Sequence, residues 1–542
     1  MSGYERLYLR QNVQVEPLID HWYVWPHLIP PATAARNITE RHMKIMDSYI
    51  NAPQVHANAA KNPKMLGGPF IDLGGKRVDE VRALRDRIKR ERAPLFELSA
   101  ALQSLDTMLR EKANGYSLHP LYQQVPEALR GYVELVYDLN HQPSFRLIEP
   151  LLYRSHYCDD SQQSLMLSMI AQDDRPFVLS TPRLDAEDTL HLHIPFGDPA
   201  VDELFRLKAS PKPWSDIKDM LNIPSNQDHL ARSFFTEERP APYQAYAGPG
   251  VRWRYFGHAC ILIELQGTSI LLDPVLSYTF ESSISRYTYA DLPDSIDYAL
   301  ITHDHQDHVL FETLLQIRHK VKNIIVPRNG GGQLQDPSLK LLLENCGFKN
   351  VIELSEMETV QASGGVSITG LPFLGEHADL DVKTKMAWLV SIHSHKLLFA
   401  ADSCNIEPRL YEHLHEDIGD IDALFLGMEC DGAPLSWLYG PLLTQKVERA
   451  LDESRRLSGS NYEQGMHIID CFHCKEAYVY AMGQEPWLNY IMSIKYTDES
   501  RPIVESNKLL KACAEKGITA ERLFGEREIL IASVGEEATM RA

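Results

Sequence analysis

The chain changes texture near residue 250. Beyond it, short apolar β-prone runs recur at 251–257, 260–265, 269–272, 296–301, 323–326, 366–370, 386–392, 396–400 and 423–426, and turns separate them. Helical spacing of apolar positions appears between them at 310–321, 444–456 and 506–516. Alternating strands and helices predict an α/β fold, with strands dominating its first part. Before residue 250, helical periodicity covers 78–92 and 93–112, where Pro94 is tolerated in a first turn. Residues 126–139 are expected to be helical and 189–194 to form a strand. The stretch 237–250, EERPAPYQAYAGPG, is rich in proline, glycine and small side chains and marks a domain edge. Two domains follow, 1–245 and 246–542.

A length of 542 residues agrees, being too great for one core. Net charge is -20, which argues against a nucleic-acid partner, because phosphate binding needs a basic surface. The acidity is uneven. Residues 1–250 carry 28 basic and 32 acidic side chains, the remainder 26 and 42. No uncharged apolar run is long enough to span a bilayer, and residues 1–10 lack the apolar core of a signal peptide. A cytoplasmic protein without a membrane partner is expected. The eight cysteines do not form a disulfide framework, and the single C-x-x-C of Cys471 and Cys474 reads as ordinary thiols.

The chemistry concentrates at His303-Asp304-His305-Gln306-Asp307-His308, an H-x-H-x-D-H run at the end of an apolar strand. Residues two apart in an extended chain point the same way, so His303 and His305 can share one metal ion. Asp307 and His308 lie where the chain turns and can reach a second. Burying so many ionisable groups beside a hydrophobic strand is costly unless metal or partners compensate. Asp273 and Asp402 each end an apolar strand, Gly375-Glu376-His377 follows another, and Glu429 a fourth; His467 and His473 come later. By contrast, His191 and His193 read as two residues on one face of an ordinary strand, and His393 and His395 as a hairpin turn.

In this order the motifs resemble the metallo-β-lactamase superfamily, an αββα sandwich with a two-metal site at one edge. The third motif departs from the hydrolases of that fold, where a histidine follows the glycine; here Glu376 does, with His377 one step later. That departure, together with a long N-terminal domain, resembles the diiron β-hydroxylases of nonribosomal peptide biosynthesis, of the chloramphenicol-pathway type used in antibiotic biosynthesis. The resemblance implies one iron on His303, His305 and Glu376, a second on Asp307 and His308, and Asp402 bridging. It makes Asp273 a buried structural carboxylate and leaves Glu376, Asp402 and Glu429 as the carboxylates nearest the chemistry. It implies two iron ions in an oxo-bridged cluster, O2 as co-substrate, and a monooxygenase that β-hydroxylates an amino acid held as a thioester on a carrier domain. An external electron donor and a homodimer follow from the same likeness, with the N-terminal domain serving dimerisation and carrier recognition. Carboxylate-rich donor sets suit iron, whereas imidazole-rich sets suit zinc. The competing expectation is a dizinc hydrolase, a phosphodiesterase or lactonase, in which His377 replaces Glu376 as ligand. Two further features bear on the carrier. The basic run Arg82, Arg85, Arg87, Lys89, Arg90 and Arg92 offers a docking helix, against the plainer reading of a solvated face. The turn at Leu66-Gly67-Gly68-Pro69-Phe70 is a candidate lining of the path to the metals.

Overall fold

A computed structural model describes residues 5–265 and 267–531; the remainder of the second expected domain, beyond residue 531, lies outside the described residues. Two seven-stranded sheets lie face to face after residue 250. The first runs in the order Val351–Leu354, Val321–Pro327, Ile296–Leu300, Thr268–Leu272, Cys260–Leu265, Val251–Gly257, Arg527–Ile531. The second is Thr359–Ala362, Val366–Leu371, Ala387–Ile392, His395–Phe399, Ala423–Gly427, Glu476–Tyr480, Thr519–Arg522. Each starts with antiparallel hairpins and continues with parallel strands.

Alternation sorts the side chains. In the first sheet Ile261, Ile263, Ile270 and Leu272 face the second sheet, where Trp388, Val390, Phe399 and Phe425 meet them. The intervening Leu262 and Leu271 face away. In the second sheet Leu389, Leu398, Leu424 and Leu426 face away, onto the helices Pro408–Ile418, Tyr462–Cys471 and Arg501–Glu515. A period-two chain between two apolar layers must do this. The result is the expected four-layer αββα sandwich.

The N-terminal part is mixed α/β, with sheets Trp22–Tyr23/Val13–Ile19/Gln163–Met169/Leu190–Leu192 and Lys212–Pro213/Arg6–Leu9/Phe235–Thr236. Its core is continuous with the outer face of the first sheet, so Leu18 and Leu102 belong to the same apolar cluster as Leu271, Leu314 and Tyr439. Helices Val78–Glu91 and Ala93–Lys112 form where the periodicity placed them. Residues 126–139 do not form the expected helix: Val133–Tyr137 is a strand paired with Pro143–Leu147. The cause is local. Val133 and Leu135 are buried in alternation, and Asp138 Oδ1 accepts the amides of Asn140 and Gln142 at 2.8 and 2.7 Å, closing a hairpin. The helix expected over 310–321 stops at Ile317 because Val321 already pairs with Ile296, and only Arg449–Ser454 of 444–456 is helical.

Candidate metal centre

The ends of Val251–Gly257, Thr268–Leu272 and Ile296–Leu300 share one edge of the first sheet, and those of Val366–Leu371, His395–Phe399 and Ala423–Gly427 share one edge of the second. Every proposed ligand follows one of these strand ends. Asp273 is fully buried and organises the loop: its oxygens accept the Thr302 amide at 2.8 Å and hydroxyl at 2.6 Å, and meet His308 Nδ1 at 2.8 Å. His308 therefore turns Nε2 inward, 3.0 Å from Asp402 Oδ2. Burial opposes charge on His308, but Asp402, Asp273 and Asp307 together push its pKa well up.

Donor atoms of His303, His305 and Glu376 gather within 4.8 Å of one another, as do those of His303, His308 and Asp402. His305 Nδ1 lies 3.1 Å from Glu376 Oε1. Burial among other carboxylates pushes Glu376 up to about 7, while His305 holds it back. His303 Nε2 and Asp402 Oδ1 are buried with no hydrogen-bond partner. Orphaned acceptors converging in this way fit a cation held between them, since unpaired buried polar atoms otherwise cost ~1–3 kcal/mol each.

Backbone strain marks the third motif. Gly375, Glu376, Ala378 and Asp379 all have positive φ, 82°, 65°, 52° and 58°. Such conformations persist where the surroundings over-determine them. A Cβ at Gly375 would stand 2.5 Å from Cys404 Cβ. His377, one step on, meets the Tyr439 hydroxyl through Nδ1 at 2.6 Å, and the same hydroxyl lies 3.3 Å from His305 Nε2. Its buried Nε2 has no partner, and donor atoms of Asp304, His305 and His377 also lie within 4.8 Å of one another. Glu429 is half-buried, and burial beside Asp402, Glu376 and Asp307 pushes its pKa well up.

The later histidines stand apart. His467 meets Asn405, and His473 pairs with Asp420 on the surface at 2.8 Å. His258 was not singled out from the sequence. It is fully buried in the turn after Val251–Gly257, with Nε2 3.2 Å from Asp307 Oδ2 and its ring 4.9 Å from His308. Its one signal was a Gly257-His258 turn between two apolar strands. Tyr439 was also missed, since nothing in its local sequence distinguishes it from a core tyrosine.

One glycine carries a testable consequence. A Cβ at Gly427 would lie 2.4 Å from Asp402 Oδ1 and 2.8 Å from the Ala401 carbonyl. Gly427→Ala is expected to displace the Asp402 carboxylate and lower metal affinity roughly 10–100-fold, with only a local shift of the backbone at Ala401. Metal titration and circular dichroism on the purified variant check this; full affinity would refute it.

A buried, two-sided set of histidines and carboxylates at one edge of an αββα sandwich defines a dinuclear metal enzyme of the metallo-β-lactamase fold. Accordingly, the beta-lactamase superfamily domain matches residues 268–433, and the diiron non-heme β-hydroxylase N-terminal domain matches residues 8–240. The 4-amino-L-phenylalanyl-[CmlP-peptidyl-carrier-protein] 3-hydroxylase of Streptomyces venezuelae is 41% identical over 97% of this chain and 99% of its own. The crystal structure of CmlA, a diiron β-hydroxylase from the same species, superposes with a TM-score of 0.92 at 39% identity, covering 98% of this chain and 100% of that one. A Caenorhabditis elegans N-acyl-phosphatidylethanolamine-hydrolyzing phospholipase D is 25% identical over only 37% of this chain and 60% of its own. The chain belongs to the diiron non-heme β-hydroxylase family, and it is an oxygenase rather than a dizinc hydrolase.

Proposed function

We infer that this enzyme β-hydroxylates an amino acid carried as a thioester on a carrier domain of a nonribosomal peptide synthetase. One observation carries the reading: a carboxylate, Glu376, faces His305, while the neighbouring His377 is held by Tyr439. On this reading His303, His305 and Glu376 would hold one iron and Asp307 and His308 the other, with Asp402 shared. When bound, the pair would supply oxygen activation; in the net reaction one oxygen atom enters the Cβ–H bond and the other leaves as water, with two electrons and two protons from an external donor. Asp273 and Tyr439 fix ring orientations, and His258 steadies Asp307. Glu429, near enough to Asp402, Glu376 and Asp307 for their charges to act on it, is the residue this reading assigns to the substrate amine.

Supporting a tethered substrate, a cavity of about 520 Å³ opens between the two parts of the chain. Phe70, Phe177 and Trp437 give it apolar walls, and Arg41 and Lys44 lie on it. Trp437 is two residues before Tyr439, and its indole N–H donates to the Gly67 carbonyl at 3.0 Å. The turn at residues 66–70 thus lines this cavity, which suits a thioester arm approaching from the N-terminal domain, 1–245, toward the catalytic domain, 246–542. The run on helix Val78–Glu91 offers less. Arg82, Arg85 and Arg90 are paired with Asp79, Asp47 and Glu91, and Arg92 is buried against Asp20. We therefore assign carrier recognition to the cavity mouth in preference to that helix, where Lys89 stays exposed. A homodimer and a cytoplasmic setting complete the proposal; among the described residues no helix is long and apolar enough to cross a membrane.

Carrier domains loaded with different aminoacyl groups, incubated with reduced enzyme and O2, are expected to gain one oxygen atom by mass spectrometry. The free amino acids should gain none. Equal turnover of free amino acids would end the carrier-bound reading.

A further inference from the structure

A second cavity, of about 400 Å³, lies at the other end of the strands that carry the metal loop. Lys320 immediately precedes Val321–Pro327, and its carbonyl accepts the Ile296 amide at 2.8 Å. The metal loop follows the far end of Ile296–Leu300. The cavity is therefore separate from the centre described above.

Its walls are cationic in a chain of net charge -20. Lys208, Lys320, Arg206, Arg239 and His319 line it around the ring of Tyr289. Lys208 is 1% exposed. Its ammonium has a carbonyl, that of Gln11, at 3.4 Å, and the rings of Tyr289 and Tyr278 at 5.5 and 5.7 Å. Among the described residues no carboxylate pairs with it. Lys320 donates to the Pro293 carbonyl at 3.0 Å, sits 4.6 Å above the Tyr289 ring, and has only the solvent-facing Asp294 at 4.0 Å. His319 Nε2 meets the Tyr289 hydroxyl at 3.1 Å, and its buried Nδ1 has no partner. Arg206, too, has a nearby counter-charge, Glu203 at 3.3 Å.

Buried cations are normally paired, because removing an ammonium from water is expensive. Here desolvation alone pulls Lys208 down to about 7, and desolvation, only partly offset by Asp294, pulls Lys320 to about 8. An anion entering the cavity would relieve this cost. Cationic donors on several sides suit a tetrahedral oxyanion, and the tyrosines and the Pro240-Ala241-Pro242 segment suit a compact organic body. We propose that this cavity is a binding site for a small organic ligand bearing a tetrahedral oxyanion, a phosphate monoester or sulfate ester, remote from the metal centre.

The test uses the iron-loaded full chain, with phenyl phosphate and phenyl sulfate as probes in calorimetric titrations at constant ionic strength. Saturable binding of at least one probe, one per chain, is expected; which one binds distinguishes the ester. Lys208→Met and Lys320→Gln should each weaken it roughly tenfold or more, leaving iron content and hydroxylation unchanged. The second substitution, at a less deeply enclosed lysine, keeps the test intact if methionine at 208 disturbs folding. No saturable binding of either probe, or unchanged affinity in the folded variants, overturns the proposal.

Discussion

Glu376→Ala is expected to leave one tightly held iron per chain instead of two and to reduce oxygen insertion by more than about a hundredfold. His377→Ala should keep both irons. The contrast follows from geometry. Glu376 Oε1 is 3.1 Å from His305 Nδ1, in a cluster with His303, whereas His377 spends Nδ1 on Tyr439. Removing the carboxylate leaves His303 and His305 as neutral donors for one ion, a pair that lacks the anionic oxygen favouring iron. Elemental analysis with near-ultraviolet spectroscopy reads metal content, and mass spectrometry of the carrier-bound product reads turnover. Two irons and full turnover in Glu376→Ala, with loss of both in His377→Ala, would reverse the assignment and restore the hydrolase-like donor set. Glu376→Asp separates charge from reach: it keeps the carboxylate but withdraws it by one methylene, and partial iron retention with slow turnover is expected.

Much of this centre was legible because its chemistry is local. The H-x-H-x-D-H run needs six consecutive residues, and strand alternation tells which of them face together. Strand ends were equally visible for Asp273 and Asp402, since apolar runs stop at those carboxylates. The invisible parts are contacts between distant segments. His258 reaches Asp307 across 49 positions, and Tyr439 reaches His377 across 62. No local pattern distinguishes them from core residues. The hairpin at Val133–Tyr137 was misread for a related reason: its apolar positions fit either period, and the Asp138 turn decides between them. The basic run on Val78–Glu91 showed its charge but not its partners; Asp47 and Asp20 come from other segments.

Glu312 is the strongest case of such hidden coupling, and its removal is expected to have the largest effect on stability. It lies four residues after His308, on helix Phe311–Ile317, and is 3% exposed. Its oxygens accept from Arg175 twice at 3.0 Å, from Tyr278 at 2.6 Å and from Tyr23 at 2.8 Å. Arg175 in turn reaches Glu16 at 3.1 Å and stacks 3.5 Å over Tyr490. Tyr23, Arg175 and Glu16 belong to the N-terminal part, so one carboxylate ties it to the helix that follows the metal loop. Glu312→Ala strands a buried guanidinium with one remaining carboxylate and takes the carboxylate acceptor from two tyrosine hydroxyls. Breaking a buried pair in this way costs about 3–5 kcal/mol. The denaturation midpoint followed by tryptophan fluorescence should fall sharply, and Glu312→Gln, which keeps an acceptor for the tyrosines, should fall less. Val309, between loop and helix, donates its amide to the His305 carbonyl at 2.9 Å, so loosening the helix should also speed iron loss to a chelator. A midpoint within experimental error of the wild type would show that the Glu312 cluster adds no stability to what the shared apolar core and the other contacts between the two parts provide.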